Sequence, residues 1–260
     1  MGETIFVRGT IAVITLALLA RFTVGVQVLK TDNWQRHAWR SLSGTLSMFC
    51  LFAALTMIPL AEVTAIAFTS PMFVTVFAMI FLGERIHIFR WSALGIGLVG
   101  VLIMVVPHLN LGGANSTGVL ICLVAALFAA LAMIFLRSMS GGEHAITITF
   151  YFMLTSTLCA LLTLPWGWIA PSREQWLVLM LTGIFGVAGQ LLLTLSYRYA
   201  EASTIAPLDY TNLIMSVLLG YFIFSEIPDW SIWVGAPLVI AAGLTIFWRE
   251  YRLQQQRAVN

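Results

Sequence analysis

The hydrophobic residues of this chain are gathered into nine long runs, separated by short segments that carry most of the charged residues. The runs cover approximately residues 4–22, 41–59, 63–82, 91–107, 116–136, 146–165, 176–197, 203–224 and 230–248. Each run is long enough to cross the hydrocarbon layer of a membrane, about 30 Å thick, as an α-helix. The pattern therefore predicts an all-α polytopic membrane protein with about nine transmembrane helices.

Composition supports a membrane location and excludes several other classes. Hydrophobic residues make up 60% of the chain and charged residues 9%, whereas about a quarter of the residues of a soluble domain are charged. The net charge of +2 and the lack of a basic strip argue against nucleic-acid binding. Cys50, Cys122 and Cys159 are scattered through apolar runs, which is typical neither of a disulfide framework nor of a metal site. We expect no cofactor and no metal.

Lysine and arginine are distributed unequally between the two sets of loops. Positively charged residues in short loops are retained on the cytoplasmic side. If the loop 23–40 is cytoplasmic, alternation of the runs puts eleven of the 13 basic residues inside and leaves only Arg8 and Arg173 outside. We therefore expect the C-terminus to be cytoplasmic.

The segment from Pro59 to Pro107 is echoed in the second half of the chain. Glu84 and Trp91 recur as Glu226 and Trp233, and each glutamate ends a run, where helix-end hydrogen bonding or pairing at the hinge is expected. The first hinge, GERIHIFR, is basic and lies inside in this topology, whereas its counterpart SEIPDW has no base and lies outside. The two copies thus cross the membrane in opposite directions, and such inverted repeats are typical of secondary transporters.

The motif SPMF followed by LGERIHIFRW, repeated as APLDYT followed by FSEIPDW, resembles the EamA-type carriers of the drug/metabolite transporter superfamily. The resemblance implies ten helices, in two inverted halves around a central cavity, with both termini cytoplasmic. Residues 1–112 would form a first repeat of four helices, and residues 113–260 a second repeat of five with a short cytoplasmic tail. The first helix of the family pattern is missing, which leaves three explanations: a start assigned too late, a shortened copy, or a nine-helix form.

Asp209 is the charged residue that lies well within a predicted span, about 10 Å from the inner end of its helix. A carboxylate at that depth is costly unless it is protonated, paired or in contact with a water-filled cavity. Together with Tyr210 and Thr211 it forms a polar segment shortly after Pro207. We expect these residues to bind substrate or to couple a proton, and the alternative is a structural hydrogen bond between helices.

Gln190, Thr194 and Tyr197 form a polar stripe at i, i+4 and i+7 on one face of the seventh run. Such a stripe fits the wall of a cavity, and it fits hydrogen bonding between helices nearly as well. The cavity wall is favoured because the resemblance implies that the second, third, seventh and eighth runs line the cavity.

Two further positions are candidates for substrate binding. Thr69 and Ser70 precede Pro71 within the third run, where a proline would bend the helix or leave a carbonyl free for a ligand. Arg8 lies a few residues inside the first run. It would either extend to the membrane interface or attract an anionic group of a substrate.

The four histidines lie in or beside loops and are widely spaced, so we predict no catalytic or metal-binding set and no enzyme. We predict instead a secondary transporter that moves a small organic metabolite across the bacterial inner membrane by alternating access. The resemblance implies an amino acid, a vitamin such as riboflavin, a nucleoside-like compound such as S-adenosylmethionine, or a drug-like compound. A polar-lined channel and an inactive truncated carrier stay open as alternatives. The partners to consider are the substrate, the lipid bilayer, a coupling proton and a second copy in a homodimer.

Overall fold

The computed structural model describes residues 2–58, 63, 66–84, 88–105, 116–168, 171–205 and 208–209, together with isolated positions from 212 to 248. All regular secondary structure in these residues is helical, which confirms the predicted class. The α-helices, numbered here in chain order, are α1 (Gly2–Leu19), α2 (Trp34–Leu55), α3 (Ser70–Phe81), α4 (Ile88–Val105), α5 (Ser116–Met139), α6 (Ala145–Leu161), α7 (Arg173–Tyr199) and the single turn α8 (Ala202–Ile205). A π-helical turn, Ala20–Val24, continues α1, and Val26–Leu29 and Leu164–Trp166 form 3-10 turns.

Four helical segments are long and apolar enough to cross a membrane: Gly2–Val24, Trp34–Leu55, Thr117–Met139 and Arg173–Tyr199. Shorter apolar helices cover Ser70–Phe81, Trp91–Gly100 and Ala145–Leu161. The predicted runs 203–224 and 230–248 lie mostly outside the described residues. The total of nine transmembrane helices and the inverted repeat therefore stay predictions.

The outward surface of α7 is strongly apolar. Leu177, Val178, Met180, Phe185 and Leu192 are all more than half exposed. In water, a continuous apolar surface of this kind would favour aggregation, whereas in a bilayer it contacts lipid chains. The exposed face of α7 is thus suited to a lipid environment.

The chain divides into two compact units, and the first contains Met1–Phe49 and Leu131–Tyr199. In this unit α1 packs against α6 and α7, around a buried apolar cluster made of Ala12, Leu16, Ala20, Ile146, Met153 and Val187. Glycine permits close approach: a Cβ on Gly183 would lie 2.9 Å from Cβ of Ile11, and one on Gly9 would clash with Oγ1 of Thr157. Small residues at helix contacts are the usual means of tight packing in membranes.

The second unit contains Cys50–Ala130 and Ala200–Asn260. Its buried apolar cluster is formed by Ala54, Ile58, Val63 and Cys122. The Cys122 thiol donates a hydrogen bond to the carbonyl of Val63 at 3.5 Å, and all three cysteines of the chain are free thiols. In the same unit α3 packs against α8.

Two helices begin elsewhere than the hydrophobic pattern indicates. Helix α2 begins at Trp34 and not near residue 41, because the polar segment before residue 41 continues the helix and buries two of its side chains, His37 and Arg40. Helix α3 begins at Ser70, so Pro71 lies in its first turn and not in mid-helix as we predicted. In that turn the missing N–H of proline costs no hydrogen bond, and its fixed φ favours the helix. Pro71 therefore lies at the start of a helix and does not bend a continuous one.

Candidate functional site

Helix α2 directs a polar face into unit 1. His37, Arg40, Ser41 and Thr45, at i, i+3, i+4 and i+8, share one face of the helix and are all buried. Leu42 and Leu46, on the other side of the helix, are exposed. This arrangement is the reverse of an amphipathic helix in water, where the apolar face is inside. It gives the interior of unit 1 polar side chains and its outside an apolar surface.

Arg40 is the largest of the buried side chains, with only 2% of its surface exposed. Its guanidinium carbon lies 4.2 Å from the centroid of the Phe152 ring, a cation–π contact. Gly44, one turn along α2, makes the room for this contact. A Cβ at position 44 would lie 2.6 Å from Nη1 of Arg40 and 2.7 Å from the Phe152 ring.

Helices α6 and α7 contribute hydroxyl groups to the same interior. The hydroxyls of Thr149 and Thr194 are 3.1 Å apart, and Thr194 also donates to the Gln190 carbonyl at 2.8 Å. The hydroxyls of Thr45 and Ser156 join α2 to α6 at 2.9 Å. These four hydroxyls therefore form hydrogen bonds that link helices within unit 1.

The predicted stripe on α7 faces this interior. Thr194 and Tyr197 are buried, with 1% and 0% of their surfaces exposed. The backbone carbonyl of Tyr197 accepts hydrogen bonds from the side chains of Arg137 and Ser140. The amide nitrogen Nε2 of Gln190 is buried and has no hydrogen-bond partner among the described residues. Of the three, Gln190 thus keeps unused donors, while Thr194 is engaged in a tie between helices.

Arg8 packs in unit 1 against α7. A Cβ placed on Gly186 would lie 2.8 Å from Nε of Arg8, so the guanidinium rests close to the backbone of α7. The side chain is partly buried. The contact with Gly186 could not be read from the sequence, because the two residues are far apart in the chain.

The remaining candidates belong to unit 2. The hydroxyl of Thr69 donates to the carbonyl of Ile66 at 2.6 Å, which is a local turn contact, and Ser70 begins α3. Asp209 is partly buried in a short turn that follows α8. Tyr210 and Thr211 lie outside the described residues. The structure thus brings Arg8, Gln190, Thr194 and Tyr197 together in one unit, and Thr69, Ser70 and Asp209 in the other.

A charged cluster lies where α2 begins and the loop joins α5 to α6. The Glu143 carboxylate accepts hydrogen bonds from the hydroxyl of Thr31 at 2.7 Å and from the amide of Asn33 at 3.0 Å. Nε2 of His37 is 3.8 Å from the other carboxylate oxygen. Burial alone would raise the pKa of Glu143, but the two hydrogen bonds and His37 outweigh burial and lower the pKa below its usual value. The cluster therefore favours an ionised carboxylate at this loop.

The sequence does not indicate Arg40 as a site residue, because a basic residue beside an apolar run is typical of a cytoplasmic loop. The signal that could have found it is the spacing of His37, Arg40, Ser41, Gly44 and Thr45, which puts polar and small residues on one helical face. Hydropathy alone does not distinguish a polar residue in a loop from one that faces the inside of a bundle. In the described part of the chain, no three His, Cys, Asp or Glu side chains are grouped as metal ligands.

Comparison with known proteins identifies the family. The model of the EamA-like transporter family matches residues 1–106 and 116–248. A pseudopaline exporter of Pseudomonas aeruginosa is 30% identical over 246 residues, which cover 94% of this chain and 85% of that protein. A riboflavin transporter of Rhizobium johnstonii is 30% identical over 90% of this chain and 77% of that protein. An S-adenosylmethionine uptake transporter of Rickettsia felis is 28% identical over 91% of this chain and 79% of that protein.

One solved crystal structure has the same fold as this chain, with a TM-score of 0.83 over 97% of this chain and 90% of the other. Its sequence identity of 18% supports the fold alone. The apolar helices and the family match agree on a protein embedded in a membrane. The chain therefore belongs to the EamA-like family of drug/metabolite transporters, and it is an integral membrane transporter, not an enzyme.

Proposed function

We propose that this protein is a secondary transporter that moves a small organic metabolite across the bacterial inner membrane by alternating access. The observation that carries the proposal is the buried polar interior of unit 1. Arg40, Thr149 and Thr194 are all nearly inaccessible, although the exposed surface of the same unit is rich in large apolar side chains. Polar groups inside a membrane bundle are expensive and are retained mainly where they meet a substrate, an ion or one another.

The relatives narrow the substrate to a class. The names of three of them mention pseudopaline, riboflavin and S-adenosylmethionine. These compounds differ in structure, but all are small polar organic molecules, and each is too polar to cross a bilayer unaided at a useful rate. We infer that the substrate here is also a small polar metabolite. Amino acids and related compounds belong to this class.

The mechanism we propose uses the two sequence repeats, residues 1–112 and 113–260. If they are inserted in opposite directions, exchange of their conformations would open a shared binding site first to one side and then to the other. The C-terminus would be cytoplasmic, in agreement with the distribution of lysine and arginine. Reporter fusions in the segments 83–90 and 225–229 test this directly. Reporters on opposite sides support the inverted repeat, and reporters on the same side would rule it out.

Asp209 is our candidate for the coupling group. A partly buried carboxylate within a predicted span could bind a proton in one conformation and release it in the other. Tyr210, Thr211, Gln190, Thr194, Tyr197, Thr69, Ser70 and Arg8 complete the proposed set of binding residues.

The experiment that tests the function is uptake by the purified protein in proteoliposomes, over a panel of labelled amino acids, riboflavin and S-adenosylmethionine. A carrier gives flux that saturates with substrate concentration. Asp209→Asn should abolish uptake or make it independent of a pH gradient, while the exposed loop variant Asp32→Asn should behave as the wild type. Saturable uptake by Asp209→Asn with unchanged pH dependence would remove Asp209 from the mechanism. Flux that rises linearly with concentration would favour a channel.

A further inference from the structure

Arg40 has hydrogen-bond donors that no group in the described part of the protein accepts. Nε and Nη1 are both buried, and neither has a hydrogen-bond partner among the described residues. Nε carries one N–H and Nη1 carries two, so three donors are unused. Buried donors are rarely left without an acceptor, because the loss of hydration is costly for each group and more costly for a charged one.

The charge of Arg40 also lacks a counterion among the described residues. The titratable side chains that interact with it electrostatically are Tyr197 and His37, and neither is an anion at neutral pH. The Glu143 carboxylate is engaged by Thr31, Asn33 and His37. The Phe152 ring attracts the cation, but it accepts no conventional hydrogen bond in the plane of the guanidinium. An arginine is effectively always protonated, so the charge cannot be removed by titration.

The surroundings hold the guanidinium in place. The ring of Phe152 lies 4.2 Å from it, and Gly44 leaves the space that a larger residue would fill. A guanidinium that is buried, oriented and without an anion among the described residues is suited to bind a carboxylate or phosphate group, because its planar set of donors matches both.

We propose that Arg40 binds an anionic group, a carboxylate or a phosphate, of a small molecule that enters unit 1. This proposal rests on the proposed function in that the molecule is the transported compound, and it narrows the substrate class to organic anions and zwitterions. Phe152 positions the guanidinium from one side, and Gly44 keeps the contact close. The unused Nε2 donor of Gln190 is a second buried donor in the same unit.

The test uses pairs of compounds that differ in one anionic group or in their carboxylates. The pairs are riboflavin 5′-phosphate and riboflavin, S-adenosylmethionine and its decarboxylated form, and citrate and trimethyl citrate. Thermal unfolding of the full chain, purified in a neutral detergent without phosphate, is measured with each compound at constant ionic strength. A ligand that binds only the folded protein raises the unfolding temperature, and the increase grows with the ratio of ligand concentration to Kd.

In at least one pair, we expect the compound that carries the carboxylate or phosphate to raise the unfolding temperature, while the compound that lacks it does not. Arg40→Gln should weaken this binding about tenfold or more, since a hydrogen bond to a charged group is lost. The control is Arg36→Gln, which removes an exposed arginine one turn earlier on the same helix. If Arg40→Gln does not fold, Gly44→Ala replaces it, because the added Cβ would displace Nη1 and should also weaken binding.

Several results would overturn the proposal. One is that no pair shows a difference, and another is that Arg40→Gln and Gly44→Ala bind the anion as tightly as the wild type. Stabilisation by phosphatidylglycerol in place of the soluble anions would assign Arg40 to a lipid headgroup and would also reject the proposal.

Transport measurements separate this proposal from the proposed function. If uptake is saturable and Arg40→Gln leaves its KM unchanged, the anion site is rejected and the transporter is kept. If Arg40→Gln loses anion binding but the wild type shows saturable uptake of no compound, the anion site is kept and the transporter is rejected.

Discussion

The carboxylate of Glu84 accepts a hydrogen bond from the backbone N–H of Ala202 at 2.9 Å, although 118 residues separate them in the chain. Ala202 begins α8, so Glu84 supplies an acceptor and a negative charge to the first turn of that helix. This agrees with the helix-end role expected for Glu84. The contact fixes the start of the segment that leads to Asp209.

Replacing Glu84 by Gln should lower the stability of the protein. The amide can still accept the hydrogen bond, but the charge that favours the helix start is lost, and we expect a cost of about 0.5–1 kcal/mol. Thermal unfolding in detergent measures the change. Glu174→Gln, at an exposed position in the first turn of α7, is the control for loss of charge alone. Equal effects of the two substitutions would show that the contact with Ala202 adds nothing.

The pH dependence of stability should carry a contribution from Glu143. Its folded-state pKa is lowered, so its ionised form stabilises the protein above the pKa of the unfolded chain, near 4.5. This stabilisation is lost as the pH falls through the folded-state pKa. The unfolding temperatures of the wild type and Glu143→Gln should therefore differ most near neutral pH and converge below pH 4.5. A difference that grows on acidification would contradict this account of the Glu143 cluster.

Substitutions of Thr149 and Thr194 test whether this hydroxyl pair links two helices or lines a cavity. Thr194→Val leaves the Thr149 hydroxyl without its partner and should cost about 1 kcal/mol. Replacing both residues by valine should cost less than the sum of the single changes, because no polar group is then left unpaired. The double-mutant cycle in thermal unfolding measures this coupling. Additive costs, together with a loss of uptake by Thr194→Val, would indicate that Thr194 contacts the substrate instead.

Two glycines of α7 provide a matched test of close packing. Gly183→Ala would bring a Cβ within 2.9 Å of Cβ of Ile11, which cannot move without its helix, and should destabilise by about 1–3 kcal/mol. A Cβ on Gly189 would have no atom of the described residues within 4 Å, so Gly189→Ala should be neutral or stabilising by up to about 1 kcal/mol. Unfolding temperatures compare the two variants. A similar loss in both would mean that the contact of α1 with α7 is not what makes Gly183 necessary.

The long helices could be predicted because their apolar runs are unbroken. The predicted runs 116–136 and 176–197 correspond to α5 and α7 within a few residues. The start of α2 was wrong because polar residues buried inside a membrane bundle have the same hydropathy as loop residues. Pro71 was misplaced for a related reason: an apolar run continues across the turn at Thr69, so nothing in its composition marks the start of α3.

Only the features of the candidate site that depend on spacing within one helix could be predicted from the sequence. The stripe formed by Gln190, Thr194 and Tyr197 follows from helical periodicity, and the structure places it on the inner side of unit 1. The partners of these residues come from other helices: Thr149 faces Thr194, and Arg137 and Ser140 bind the carbonyl of Tyr197. Such contacts depend on how helices pack, which one sequence does not specify. The contact of Arg40 with Phe152 was missed for this reason.

Counterflow in proteoliposomes tests the central claim, that this protein carries a small metabolite by alternating access, most directly. Vesicles are loaded with an unlabelled compound that the protein takes up, and the entry of a trace of the labelled compound is followed over time. Alternating access predicts that the unlabelled compound on the far side accelerates labelled entry and drives a transient accumulation above equilibrium. Entry that the internal compound leaves unchanged, with no accumulation at any concentration, would contradict the account.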